Sequence, residues 1–196
     1  YHDINKVREA ATEMLKDKER FKNCPNYQHD IADVVRQTLT DSTYYLIKDI
    51  AASYEKKDME AFKAQYTTFL GILGDLNRLL SQVGLFRLEK WTSSARNICD
   101  EVPGTTEADR DWMEWNARTL ITVWGPEQCA EKGKLHDYSS RQWGGMLNDF
   151  YLARWEMFFK ALEEGKTISS PEWFKWEENW TRSKTITKVA EENPVD

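Results

Sequence analysis

The chain's 196 residues suit one domain with its own core and leave too little for two. A hydrophobic share of 40% excludes a disordered chain. Net charge −6 without a basic run argues against a nucleic-acid partner, and no apolar stretch is long enough for a transmembrane helix.

The opening Tyr1-His2-Asp3-Ile4-Asn5-Lys6 has neither a starting Met nor the apolar core of a signal peptide, so the chain reads as a processed protein or a piece of a longer one. From there helical spacing dominates. Ile4, Val7, Ala11, Met14 and Leu15 share one face and predict a helix over about 3–18. Pro25 breaks the stretch that follows, since Pro lacks a donor and biases its predecessor away from helix. Asp30 is read as the N-cap of a second helix, with Ile31, Val34, Val35, Leu39, Tyr45, Leu46, Ile50 and Tyr54 along its buried stripe. Asp58 caps a third, in which Phe62, Tyr66, Phe69, Leu73, Leu76, Leu80 and Val83 form a heptad seam suited to a long neighbouring helix. Gly84 ends it.

A fourth helix over about 86–99 carries Phe86, Trp91, Ala95 and Ile98, and Thr105 or Thr106 caps a fifth that runs to about Val123. Gly and Pro make Trp124 to about Leu135 irregular. A long helix over about 138–162 follows, and Ser170-Pro171 opens the next, with Ser at the N-cap and Pro at the first helical position. Glu191 to Asp196 are expected to fray. No window alternates as a strand does. The expectation is an all-α fold, an antiparallel bundle-like array of about seven helices in a single domain over 1–196.

Little in this frame carries chemistry outright. Cys24, Cys99 and Cys129 show no metal-like spacing, and His2, His29 and His136 are too scattered for a zinc cluster. No Gly-rich phosphate loop occurs, so neither metal nor cofactor is expected. Gly144-Gly145 lies in a helical pattern and is read as a close-packing point. Glu127, Glu131, Asp137, Asp149 and Glu156 are carboxylates of the kind glycoside cleavage uses, but acids on a helical surface are mostly solvated. Trp143, Leu147, Phe150, Arg154, Phe158 and Ala161 share one face and are read as core, and Arg154 among these rings suggests a paired guanidinium stacked on a ring. Trp173, Trp176 and Trp180 recur at helical spacing, with burial as the default. The richest cluster is Trp124-Gly125-Pro126-Glu127 with Asp137-Tyr138-Ser139-Ser140-Arg141-Gln142-Trp143. Such rings can stack on a sugar while the polar groups bond its hydroxyls; alternatively Trp124 plugs a bundle end and Asp137 caps a helix.

The runs Leu120-Ile121-Thr122-Val123-Trp124-Gly125-Pro126, Asp137 to Trp143 and Asp149-Phe150-Tyr151-Leu152-Ala153-Arg154-Trp155 carry a resemblance. With Asp30-Ile31-Ala32-Asp33-Val34-Val35-Arg36-Gln37 upstream, they resemble the C-terminal helical domain of α-N-acetylglucosaminidases, bacterial members included, over about 27–162. Ala153 stands where the family usually has Pro, and Gln128 to Leu135 is a longer insert than in the animal enzymes.

The resemblance implies a retaining glycoside hydrolase that removes terminal α-linked N-acetylglucosamine. Such enzymes act on heparan sulfate in animal lysosomes, or on mucin-type glycans from a bacterial periplasm or secreted. It also implies that the helical domain packs on a barrel of the same polypeptide carrying two catalytic glutamates. No strand–helix alternation exists here to build that barrel, so this chain is expected to hold no catalytic residue and to hydrolyse nothing alone. Its aromatic surplus would face the barrel. Trp124, with Asp137 and Tyr138 after it, would wall the sugar pocket. The competing readings are a free-standing helical module that binds glycans or proteins, and a complete small enzyme using its own carboxylates.

Overall fold

Pro25 opens a helix. It takes the first helical position after Cys24, where its missing N–H goes unused, and the helix runs from Pro25 to Glu55, so Asp30 lies inside it and caps nothing. In this computed structural model, residues 3–129, 136–137 and 139–195 are described. The helices are α1 (Ile4–Lys16), α2 (Lys18–Phe21), α3 (Pro25–Glu55), α4 (Met59–Ser81), α5 (Leu88–Asn97), α6 (Glu107–Leu120), α7 (Ala153–Glu163) and α8 (Ser170–Arg182). No strand occurs among the described residues; there is one isolated bridge, between Arg87 and Gly144. The all-α expectation holds, and the helix beyond seven is α2, cut from α1 at Asp17.

The caps follow local chemistry. Asp58 accepts from the Ala61 amide at 3.1 Å, and Thr106 forms a reciprocal capping box with Asp109. Ser169, not Ser170, is the N-cap of α8, paired with Glu172, which leaves Pro171 one position further in. α4 ends at Ser81, ahead of Gly84, which starts a 3₁₀ turn. On α5, Leu88 and Thr92 are the buried positions, while Ile98 is exposed in a second 3₁₀ turn.

The heptad seam of α4 is the principal strut. Phe62, Tyr66, Phe69, Leu73, Leu76 and Leu80 are all buried and pack with Ile50 of α3, Leu147 and Phe159. Each such side chain stabilises the fold by about 1.5–3 kcal/mol. A second core gathers Leu88, Ile121, Met146, Phe150 and Trp180.

The long helix expected over 138–162 forms only in its later part. Asn77 of α4, itself buried, accepts from the Gly145 amide at 2.8 Å and the Asn148 amide at 3.3 Å, so a side chain from another helix sets the start. Gly144 precedes it in close contact with α4: a Cβ there would lie 2.6 Å from the Ser81 nitrogen. Close packing at Gly144 is therefore real, although the residue is not helical. Leu147–Leu152 form a π-helical turn before α7. The extra residue per turn shifts the buried stripe, so Phe159 enters the core and Phe158, expected there, stays exposed.

The tail, expected to fray, carries contacts to distant residues. Gln82 donates to the Ala190 carbonyl at 2.9 Å and accepts from the Glu192 amide at 2.8 Å; Asn193 donates to the Lys22 carbonyl at 3.0 Å, and Val195 is buried. Asp196 lies outside the described residues.

Candidate functional site

Beyond the C-terminal end of α6 the chain turns sharply. The Trp124 amide donates to the Thr119 carbonyl at 2.8 Å, and Trp124 itself adopts φ 65°. Asp137 follows with φ 55° and Ser140 with φ 45°. Among the described residues, four that are not glycine have left-handed backbone, and three of them lie here. Asp tolerates that geometry; for a residue as bulky as Trp it is a genuine outlier of about 1–3 kcal/mol, of the kind held in place at functional sites. Trp124 is 37% exposed.

Two main-chain contacts tie the segment together. The Asp137 amide donates to the Thr122 carbonyl at 3.0 Å, and the Asp137 carbonyl accepts the Ser140 amide at 3.1 Å and the Ser140 hydroxyl at 3.0 Å. Asp137 is thus bonded to a residue two positions before Trp124, from the facing turn. Tyr138, the third expected wall residue, lies outside the described residues.

The Asp137 carboxylate turns inward and caps no helix. Arg154 Nη2 donates to Asp137 Oδ2 at 2.5 Å, while Arg154 Nη1 donates to Glu177 Oε1 of α8 at 2.6 Å. His136 Nε2 ion-pairs with the other Glu177 oxygen. The Arg154 guanidinium lies over the Phe150 ring at 4.9 Å and the Tyr151 ring at 5.3 Å, the stacked, paired arginine anticipated from sequence. Burial alone would pull that guanidinium down; Asp137 and Glu177 outweigh it and hold it above its ordinary value. The hydrogen bond and charge of Glu177 raise His136 above its usual value against burial. Burial, with the Asp137 charge added, pushes the Tyr151 phenol well up. Neither Asp137 Oδ1 nor Tyr151 Oη has a hydrogen-bond partner among the described residues, and both atoms are enclosed.

Clefts open on either side of this network. One, of about 540 Å³, has His136, Arg154, Trp155, Phe158, Trp173 and Glu177 among its lining residues. The other, of about 320 Å³, includes Thr43, Phe69, Asp137, Gln142, Tyr151 and Trp155. Trp124 lines neither.

The remaining candidate acids are engaged in structural contacts or exposed. Asp149 accepts from the Thr187 amide at 2.7 Å and Glu156 pairs with Lys160 at 2.8 Å, while Glu127 is exposed and Glu131 lies outside the described residues. Cys24, Cys99 and Cys129 are free thiols. Of the tryptophan stripe on α8, Trp180 is buried and Trp173 and Trp176 are partly so. Sequence reasoning missed Glu177 and gave His136 no role. The signal for Glu177 was present, since a Glu four residues after Trp173 and three before Trp180 sits on an apolar stripe and requires a buried partner.

With this geometry in place, comparison with known proteins is informative. The profile described as "Alpha-N-acetylglucosaminidase (NAGLU) C-terminal domain" matches residues 1–196. Human α-N-acetylglucosaminidase is 26% identical over 172 residues, which is 87% of this chain and 22% of the human protein. A family 89 glycoside hydrolase from Clostridium perfringens, in complex with PUGNAc, superposes with TM-score 0.89 at 30% identity over 99% of this chain and 23% of that one. The same bacterial enzyme in complex with its substrate GlcNAc-α-1,4-galactose gives TM-score 0.89 at 29% identity with the same coverage. The chain therefore spans less than a quarter of the length of these relatives.

Proposed function

Because the chain belongs to the family of α-N-acetylglucosaminidase C-terminal domains, we propose that it is the single-domain, accessory helical part of a retaining exo-glycoside hydrolase releasing terminal α-linked N-acetylglucosamine. It packs on the catalytic barrel of the same polypeptide and completes one wall of the sugar pocket with Trp124, Asp137 and Tyr138. The observation carrying this reading is Trp124: a large ring held on left-handed backbone and kept exposed beside a strained partner turn. A fixed ring stacks on the apolar face of a pyranose and limits the pocket to a chain-end sugar. Asp137 serves the wall by anchoring its backbone, since one carboxylate oxygen is held by Arg154 and the other is enclosed. The catalytic carboxylates belong to the barrel, so the chain alone hydrolyses nothing. The enzyme works outside the cytoplasm, where such glycans are; no described helix is long and apolar enough to cross a membrane.

The test is hydrolysis of a chromogenic α-N-acetylglucosaminide. In the enzyme containing this chain, Trp124→Ala raises KM about tenfold, the loss of one stacked ring. Unchanged kcat and KM would overturn the wall. Hydrolysis by the isolated chain, abolished by changing one acidic residue, would overturn the accessory role.

A further inference from the structure

Glu177 is 1% exposed, yet it sits on α8, forty residues in sequence from the turn it reaches. A buried carboxylate is costly to desolvate unless its partners are fixed in good geometry. Here both oxygens are used, one on Arg154 at 2.6 Å and the other on His136. Arg154 is a planar fork whose second limb takes Asp137 at 2.5 Å. With Phe150 and Tyr151 rings against it, the guanidinium has little freedom to serve one acid without the other. Asp137 in turn donates its amide to Thr122, and Thr122 Oγ1 donates to the Arg118 carbonyl at 2.8 Å at the end of α6. A continuous chain of charge-assisted and main-chain bonds thus runs from α8 through α7 to the paired turns.

We infer that Glu177 is a positioning residue: through Arg154 it fixes Asp137 and with it the paired turns that present Trp124. It touches no substrate. Arg154 and His136 reach it from separate segments of the chain, and breaking either bond would free the turn rather than the helix. The consequence for sugar binding rests on the pocket-wall reading above; the consequence for the turn does not.

Amide hydrogen exchange on this chain tests the inference directly, because the Asp137 amide reports the bond to Thr122. In Glu177→Gln, nearly the same shape without the charge, that amide exchanges at least about tenfold faster while the amides of Leu73 and Leu76 in α4 are unchanged. Arg154→Lys, which keeps the charge and loses the fork, gives the same local pattern and serves if Glu177→Gln does not fold. In the enzyme, both raise KM while kcat stays within about twofold, the signature of a misplaced binding group. An Asp137 amide no faster than wild type in either variant overturns the inference, and so does acceleration spread equally through α4. Local acceleration with KM unmoved in Glu177→Gln and in Trp124→Ala alike would leave Glu177 as a positioning residue and overturn the pocket wall instead.

Discussion

Around α4 the interior is hydrocarbon and aromatic ring; around α6 and α8 it holds charge. Phe62, Tyr66, Phe69 and Phe159 meet edge-on or stacked, with Tyr66 and Phe159 parallel at 4.9 Å, and buried Asn77 caps the helix beyond. In the other core Arg118 is 0% exposed, bonded to Glu114 at 3.0 Å and lying 4.8 Å from the Trp180 ring, and Glu177 sits a turn away on α8. Burial pulls the Arg118 guanidinium down, with Glu114 opposing. Apolar packing yields stability with little demand for exact angles, whereas buried ions stabilise little and fix geometry tightly. The strained turns lie at the end of α6, on the charged side.

Breaking one buried pair should have the largest effect. Glu114→Ala strands the fully buried Arg118 guanidinium and lowers unfolding free energy by about 3–5 kcal/mol in urea melts, whereas Arg118→Met with Glu114→Leu recovers most of that loss. If the double substitution were as costly as the sum of the singles, the two cores would not differ in kind. Next comes Leu76→Ala, at about 3 kcal/mol for the transfer and the cavity left behind. Its loss should be the same at pH 5 and pH 8, since its cluster is built of aliphatic and aromatic side chains that do not titrate in that range; a pH-dependent loss would merge the two cores.

The smallest effect is a slope. His136 has a folded-state pKa raised above its unfolded value by Glu177. Its contribution to stability is therefore complete below about pH 6.5 and is lost as pH climbs through the raised folded value. His136→Gln should flatten stability over that window, and an unaltered slope would separate His136 from Glu177.

The apolar core was legible because its information is local: the seam at 62, 66, 69, 73, 76 and 80 is written in spacing, and Asp58 and Thr106 cap their own helices. The charged core was legible only in part. Arg154 announced a partner by standing among rings, yet Asp137 and Glu177 lie 17 and 23 residues from it and nothing in the spacing joins them. The helix expected from 138 begins later because Asn77, far back in the chain, supplies the cap. The contacts of the tail were hidden for the same reason, as Gln82 and Lys22 reach it from outside its own sequence. Left-handed backbone at Trp124 has no signature in composition at all.

The π turn at Leu147–Leu152 stands directly before Arg154. One residue in a helix subtends about 100°. Deleting a single residue there would return the segment to ordinary winding and leave Arg154, Trp155 and Phe159 close to their present bearings, because the wide turn absorbs the rotation of one residue. In most connecting segments a lineage can gain or lose a residue and keep its interior. This turn extends that freedom into the body of a helix, and related sequences should tolerate a one-residue gap within 147–152 and still align on either side of it.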